Sequence, residues 1–192
     1  MERNESFDIY AYMEERFRFQ LSPEDAELLM QGSKTLTLKK GEVLYNSGDP
    51  NHTVYYLRQG TVKYHMIYPD GSSRSTAYGK APGFLGVINI LPHHTAANYC
   101  TAATACTIST CPIELFLERA KANNMMDKLF FMAVGASRHI YSTLTALLSE
   151  ERANLVDVLR NQEMLTLQET ADFVGCTREH VSRICKQLDQ NK

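Results

Sequence analysis

The spacing of apolar and polar positions divides the chain into stretches of different periodicity, and the first of these is helical. In "LSPEDAELLM", Ser22 is placed as an N-cap, Pro23 follows at the first helical position, and acidic residues fill the first turn. The pattern predicts a short peripheral helix. We expect Leu28 and Leu29 to face the core from it.

From Lys34 to about Pro112 the period changes to that of β-strands. Turn residues separate six short β-prone runs: TLTL, VLY, TVYYL, TVKYHMIY, SRSTAY and TISTC. Asp70-Gly71 in "YPDGSS" predicts a tight hairpin, because this pair readily takes the positive φ angles that such a turn requires. Turns that recur about every 8–12 residues are typical of an antiparallel sandwich or barrel.

After Pro112 the chain turns helical, first in "PIELFLERAKANN" and then from Met125 to about Glu151. One apolar stripe on the longer helix has spacings that alternate between four and three, the period of paired helices. Its members are Met126, Phe130, Ala133, Ser137, Ile140, Leu144 and Leu147. This seam predicts a homodimer, and the alternative is a long helix packed on its own domain. A second stripe that could face the β-strands comprises Leu129, Val134, Tyr141 and Leu148.

The last segment, "LTLQETADFVGCTREHVSRICKQL", divides into a helix, a tight turn at Val174-Gly175-Cys176 and a second helix. Ala171 is small where two crossing helices would approach, and Thr177 is placed to cap the second helix. The expected buried set is Leu167, Phe173, Val174, Val181, Ile184 and Leu188. The polar residues left on the outer face, near the start of the second helix, are Arg178, Glu179, Ser182 and Arg183.

These outward residues have the chemistry of a base-reading surface. Arginine pairs with guanine through two hydrogen bonds, and glutamate accepts from the cytosine amino group in the major groove. From Cys176 to Lys192, four Lys and Arg residues stand against two Asp and Glu, a local charge of +2. The alternative is a small helical hairpin with a solvated surface, on which Glu179 pairs with Arg183 at i,i+4.

Composition bears on the location and partners of the protein, but it does not distinguish a base-reading surface from a solvated helical hairpin. The chain is 44% hydrophobic and 22% charged with a net charge of −2, so any DNA contact must come from a local patch. We expect no membrane partner, since no run of 18 apolar residues exists, and a cytoplasmic location, since "MERNESFDIYAY" has no signal-peptide pattern. In a reducing compartment the five cysteines are expected to be free thiols.

The chain resembles the cyclic-AMP receptor and fumarate–nitrate regulator (CRP/FNR) family of bacterial transcription factors. That family's helix-turn-helix pattern, roughly T-x-Q-E-x-A followed by G-x-[ST]-R-E-x-V-x-R, is matched at Thr166, Gln168, Glu169, Ala171, Gly175, Thr177, Arg178, Glu179, Val181 and Arg183. The resemblance implies an α+β fold. It would comprise a sensor domain at 1–118 with N-terminal helices and a double-stranded β-roll, a dimerisation helix at 119–150, and a helix-turn-helix domain at 151–192.

The same resemblance implies partners and residue roles. Arg178, Glu179 and Arg183 would read base edges, with Ser182 available to a second reading mode of the family. The DNA would be a palindrome with TGA-like half-sites, and RNA polymerase is an expected partner. Thr166 and Gln168 would contact phosphate, and Thr177 belongs to the same DNA-binding set at the start of the recognition helix. The family's two-stranded wing has no counterpart before Lys192.

The residues that hold a cyclic nucleotide in the family are not matched. Gly86 stands in place, but Val87 replaces the glutamate, and Ala97-Asn98 replace the arginine-serine pair that would neutralise the phosphate. Because a buried phosphate without its cation is costly, we predict no binding of cyclic AMP or cyclic GMP.

Metal cofactors are not predicted either. Cys100, Cys106 and Cys111 lack the close spacing of an iron–sulfur or zinc site, which favours cysteines packed among the strands over redox sensors. His93-His94 in "LPHHTA" is more typical of a solvated loop than of a haem or metal ligand set.

The remaining apolar residues could line a hydrophobic pocket for an uncharged small-molecule effector, as in some members of the family. The candidates are Tyr64, Tyr78, Phe84, Leu85, Gly86, Val87, Tyr99 and Ser137. The alternative is that they fill the β-roll core and that no effector exists. We therefore predict a homodimeric DNA-binding regulator that responds to a small molecule or a redox signal. The alternative function is a dimeric sensor module without productive DNA binding, and no motif of an enzyme is present.

Overall fold

The computed structural model describes residues 21–68, 70–71, 73–86, 95–149, 152–161 and 165–190, without the side chains of 139–149, 154, 158 and 161. The strands are β1 (Lys34–Leu38), β2 (Val43–Tyr45), β3 (Thr53–Gln59), β4 (Thr61–Ile67), β5 (Ser73–Lys80), β6 (Gly83–Leu85), β7 (Tyr99–Ala102) and β8 (Cys106–Pro112). The helices are α1 (Pro23–Leu29), α2 (Ile113–Ala122), α3 (Met126–Ser149), α4 (Arg152–Asn161), α5 (Leu167–Val174) and α6 (Arg178–Gln190).

The strands form two four-stranded antiparallel sheets, which we call the β-roll (residues 34–112). Their strand orders are β1-β8-β3-β6 and β2-β7-β4-β5. The predicted antiparallel sandwich is confirmed, and so is the hairpin turn, where the Gly71 N–H donates to the Tyr68 carbonyl at 2.9 Å. Strands β6 and β7 were not predicted, because they are short and gain their extended form from pairing with β3 and β4.

Strand β3 shows how the alternation along a strand builds two cores. Val54 and Tyr56 point to the cluster that α1, α2 and α3 complete on the outer face of the first sheet. Leu57 and the partly buried Tyr55 point to the cluster between the two sheets. Because successive side chains point to opposite faces, one strand ties the helices to the roll.

Helix α1 begins as predicted, but only one of its two leucines predicted to face the core is buried. The Ser22 hydroxyl accepts from the Asp25 N–H, and the Asp25 carboxylate accepts from the Ser22 N–H, which forms a capping box. Leu29 is fully buried, but Leu28 is 38% exposed, so the expectation that both face the core is wrong. Adjacent helical residues lie about 100° apart around the axis, and a helix packed on one face buries only one of them.

The long helix α3 matches the predicted stretch closely, although the predicted boundary at residue 119 falls inside α2. On the second predicted stripe, Leu129 is buried against the outer cluster of the first sheet. On the seam, Met126 and Phe130 are 46% and 64% exposed. The seam positions from Ile140 onward lie outside the described side chains.

Helices α4, α5 and α6 form the C-terminal helical unit (residues 152–190), which has its own buried cluster. Phe173, Val174, Val181 and Ile184 are buried there as predicted, and Leu167 and Leu188 are partly buried. Helix α4 adds Leu155, Val156 and Leu159. No helix among the described residues has the length and apolar character needed to cross a membrane.

Candidate nucleic-acid interface

Helix α5 is fixed at its first turn by a reciprocal pair of hydrogen bonds. The Thr166 hydroxyl accepts from the Glu169 N–H at 3.2 Å, and the Glu169 carboxylate accepts from the Thr166 N–H at 2.8 Å. This capping box satisfies two N–H groups that no helical carbonyl reaches. The spacing of threonine and glutamate therefore determines where the helix begins.

The turn between α5 and α6 depends on Gly175. Its φ and ψ of 73° and 44° lie in the left-handed region, and its N–H donates to the Ala171 carbonyl at 2.9 Å. Ala171 is fully buried where the helices of the unit meet. These two small residues let the chain leave one helix and enter the next within a few residues.

Helix α6 begins at a threonine cap, as predicted. The Thr177 hydroxyl accepts from the His180 N–H at 3.2 Å, which satisfies one of the first-turn N–H groups that no helical carbonyl reaches. Val181, Ile184 and Cys185 bury the opposite face. The helix thus has one buried stripe and one free stripe, and its reading candidates lie on the free one.

The predicted base-reading residues lie together near the start of α6. Arg178, Glu179 and Arg183 are exposed, and Ser182 is half-buried between them and the core. Of the ion pairs formed by the described residues, none joins Glu179 to Arg183. The guanidinium groups of Arg178 and Arg183 are therefore exposed on this helix without an ion-pair partner among the described residues.

The two predicted phosphate contacts, Thr166 and Gln168, and the DNA-binding candidate Thr177 lie at the N-terminal ends of the two helices. Thr166 and Thr177 accept backbone hydrogen bonds, and their exposed hydroxyls still have a proton to donate. Gln168 is exposed as well, and its amide donates to the Asp172 carboxylate at 2.8 Å. The ends of helices α5 and α6 supply N–H groups that suit phosphate oxygens.

The predicted effector-pocket residues do not converge on one cavity. Three of them lie in or beside the interior of the β-roll: Leu85 is buried there, Tyr64 packs against the same cluster, and the Gly86 N–H donates to the Tyr64 hydroxyl at 3.3 Å. Burial raises the pKa of the Tyr64 hydroxyl above its usual range. The glycine amide is thus already occupied by a side chain of the same chain.

The other candidates lie elsewhere. Tyr78 packs against the C-terminal helical unit, and burial raises its pKa to about 12. Phe84 contacts Tyr56 and Phe116 on the outer side of the first sheet. Tyr99 stacks on His65, and the exposed Ser137 donates to the Ala133 carbonyl of its own helix. Val87 lies outside the described residues, as do His93 and His94.

A small cavity does lie at one end of the roll, and sequence reasoning missed its main polar group. Its volume is about 20 Å³, enough for about one water molecule. The lining residues are Tyr45, Asp49, Pro50, Asn51, Tyr55, Leu85, Gly86 and Ala96. The Tyr45 hydroxyl is buried near the Cys100 thiol and the Tyr64 hydroxyl, and it forms no hydrogen bond of good geometry with a described residue. No pattern marked Tyr45, because its burial comes from strands distant in sequence.

The cysteines are free thiols, and the three of the β-roll are buried in its strands as predicted. Burial raises the pKa of Cys100 to about 12, and it also raises the pKa of Cys111 and Cys176. A thiol whose pKa is raised holds little of the reactive thiolate at neutral pH. Within the described part of the chain, no three His, Cys, Asp or Glu side chains are grouped so as to hold a metal ion.

Comparison with known proteins agrees with this architecture in both halves. Residues 35–136, more than half of the chain, match the family described as "Cyclic nucleotide-binding domain", and residues 164–192 match "Bacterial regulatory proteins, crp family". The chain belongs to the CRP/FNR family of transcription regulators, as its helix-turn-helix residues indicated. It is accordingly a DNA-binding transcription regulator and not an enzyme.

Individual relatives are distant. The chain is 22% identical over 165 residues to the nitrogen fixation regulation protein FixK of Bradyrhizobium diazoefficiens, which covers 79% of this chain and 70% of that protein. It is 25% identical over 168 residues to the cAMP-activated global transcriptional regulator CRP of Escherichia coli, covering 77% and 79%. The structure of FixK2 from Bradyrhizobium japonicum superimposes with a TM-score of 0.69 at 21% identity, over 83% of this chain and 85% of that one.

Proposed function

We propose that the protein is a homodimeric regulator that binds a palindromic DNA site with TGA-like half-sites and answers to a small molecule other than a cyclic nucleotide. The observation that carries this proposal is the exposed row Arg178, Glu179 and Arg183 on the capped end of α6. Two guanidinium groups and a carboxylate on one helical face are suited to guanine and cytosine edges. RNA polymerase is the expected partner of a factor held at such a site.

The exposed N-terminal part of the α3 seam supports the homodimer. Met126 and Phe130 are one turn apart on α3 and expose 46% and 64% of their surface in the single chain. Leu129, turned about 100° around the helix axis from Phe130, is buried against the outer cluster. A long helix that buries one face and leaves large apolar residues on the other is suited to pairing with a second copy.

The chemistry of the β-roll interior is unsuited to a cyclic phosphate. The described residues around the 20 Å³ cavity include no Lys or Arg, and Asp49 lies among them. A cyclic phosphate placed there would face a carboxylate without a cation, which is unfavourable. The raised pKa of Cys100 argues against a thiolate sensor at that position. We therefore favour a small uncharged effector over a cysteine-based redox signal, with no metal or haem cofactor.

The experiment is a selection of bound duplexes from a random pool, followed by titration of the best duplex with wild type and Arg183→Ala. We expect a palindromic site, and an affinity for it that falls about 10–100-fold in Arg183→Ala, because a two-hydrogen-bond contact to guanine is lost. Lys186→Ala is the matched control, since Lys186 is an exposed cation of α6 outside the predicted reading set. It should weaken specific and non-specific duplexes about equally.

Two outcomes would contradict the proposal. If wild type selects no sequence at low salt yet sediments as a dimer, the chain is a sensor module that does not bind DNA productively. If Arg183→Ala and Lys186→Ala have the same effect on specific DNA, the contact of Arg183 is with phosphate and carries no sequence information.

A further inference from the structure

The β4–β5 hairpin of the β-roll contacts the C-terminal end of helix α5, about 100 residues further along the chain. The Arg74 guanidinium donates through Nε to the Phe173 carbonyl and through Nη2 to the Val174 carbonyl, both at 3.2 Å. These carbonyls belong to the last turn of α5, where no further helical N–H is available. One arginine therefore satisfies two helix-end carbonyls with charge-assisted hydrogen bonds.

Two further contacts from the same hairpin reach the same helix. The Lys63 ammonium of β4 lies 3.8 Å from the Asp172 carboxylate of α5. Tyr78 of β5 packs against the buried cluster of the C-terminal helical unit. The C-terminal end of a helix carries a partial negative charge. The cations of the hairpin are therefore attracted to the end of α5 that they contact.

The contact leaves the reading surface uncovered. Arg178, Glu179 and Arg183 are exposed while Arg74 is bound to the end of α5. Gly175 follows the bonded carbonyls directly, and Thr177 caps the recognition helix two residues later. The guanidinium thus holds the short turn that sets the direction in which α6 leaves α5.

We propose that Arg74 is a positioning residue for DNA recognition, which holds the C-terminal helical unit on the β-roll at the angle needed for both halves of a palindrome. Two recognition helices can enter successive major grooves only when their separation is fixed at about one helical turn of DNA. If the C-terminal helical unit were held only by the chain between α3 and α4, the distance between the two recognition helices of a dimer would vary. This inference rests on the proposed homodimer and palindromic site.

The first arm of the test measures docking directly by hydrogen–deuterium exchange of the full-length protein without DNA. In Arg74→Ala we expect exchange to rise about fivefold or more at the end of α5 and in the β4–β5 hairpin, since docking protects these amides. Arg119→Ala is the matched control, because Arg119 also donates to a backbone carbonyl, that of Leu29 at 3.1 Å, but away from the C-terminal unit. It should leave exchange in α5 and the hairpin within about twofold of wild type.

The second arm measures DNA binding to duplexes with two half-sites at different spacings and to a duplex with one half-site scrambled. Arg74→Ala should bind the best two-half-site duplex about tenfold more weakly and lose its preference for one spacing. Its affinity for the single half-site should stay within about twofold of wild type, because the reading residues are untouched. Arg74→Lys keeps the charge but not the forked pair of donors. Its affinity for the two-half-site duplex should lie between those of wild type and Arg74→Ala.

Unchanged exchange in α5 and the hairpin of Arg74→Ala would overturn the docking, and equal loss on one and two half-sites would overturn the positioning role. A higher affinity of Arg74→Ala for the two-half-site duplex would also overturn the positioning role. The Arg74 contact would then hold the C-terminal helical unit in an arrangement unsuited to DNA binding. A wild type without preference for two half-sites would refute the proposed palindromic function, and the positioning role with it, whatever exchange shows.

Discussion

The C-terminal helical unit and the interior of the β-roll differ in how far apart in sequence their determinants lie. In the helical unit, the cap at Thr166, the turn at Gly175 and the cap at Thr177 each act within about four residues. In the β-roll, the Gly86 N–H meets a hydroxyl 22 residues away, and the Cys106 thiol donates to a carbonyl 45 residues away. The structure of the helical unit therefore depends mainly on local sequence patterns, whereas the interior of the β-roll depends on contacts between residues distant in sequence.

This difference in sequence separation explains why the base-reading residues could be predicted together from the sequence and the pocket residues could not. Helical periodicity fixes which side chains share a face, so Arg178, Glu179 and Arg183 are found together as soon as the helix is placed. A pocket between sheets depends on strand order and register, which alternation alone does not give. For that reason Tyr64 and Tyr78, both on the same hairpin, face different parts of the molecule.

Glycine substitutions give the largest expected contrast between the two regions. At Gly60, with φ of 98°, an added Cβ would overlap the Ala105 carbonyl oxygen and the Cys106 sulfur. We expect Gly60→Ala to lower the free energy of unfolding by about 3 kcal/mol, from backbone strain together with steric displacement. At Gly175, with φ of 73°, the nearest atom outside the turn is the Arg74 Nε, 3.5 Å away. Gly175→Ala should cost only about 1 kcal/mol, for the left-handed backbone.

Urea denaturation followed by circular dichroism measures both variants. Gly41→Ala is the control for conformation alone, because Gly41 has a φ of 89° with no atom within 4 Å of the added Cβ. If Gly60→Ala costs no more than Gly41→Ala, the close approach of the two chain segments is not what requires glycine at residue 60.

The fold could be predicted to the extent that its signals are local. Ser22, Asp70-Gly71 and the alternation of apolar residues mark one helix start, one hairpin and six strands. Strands β6 and β7 carry too few residues for a pattern, and only their partners make them strands. The same limit applies to Arg74, whose bonds to α5 join residues 99 and 100 apart.

Two tyrosines of the β-roll give a contrast of intermediate size. Tyr64→Phe removes the acceptor of the Gly86 N–H and should lower the free energy of unfolding by about 1 kcal/mol. Tyr45→Phe removes a buried hydroxyl that forms no hydrogen bond of good geometry with a described residue, and should be neutral or stabilising by up to about 1 kcal/mol. Thermal and urea unfolding of both variants measure the difference. A clear loss of stability in Tyr45→Phe would mean that this hydroxyl is satisfied in the folded protein, either by the neighbouring Cys100 thiol or Tyr64 hydroxyl or by a bound water or effector.

The smallest expected effect concerns His65, which joins three strands of the β-roll. Its ring nitrogens lie 3.1 Å from the Ser73 hydroxyl and 2.9 Å from the Thr101 hydroxyl. Burial, and then the nearby Lys63 ammonium, lower the pKa of His65 below its usual value near 6.5. The unfolded chain therefore binds this proton more readily, so stability is complete above about pH 6.5 and falls as the pH drops from there toward the folded-state pKa. We expect the difference in urea midpoint between pH 8 and pH 5.5 to be smaller in His65→Gln than in wild type, by a few tenths of a molar at most. Equal differences in the two proteins would show that the ring gains its proton without loss of these contacts.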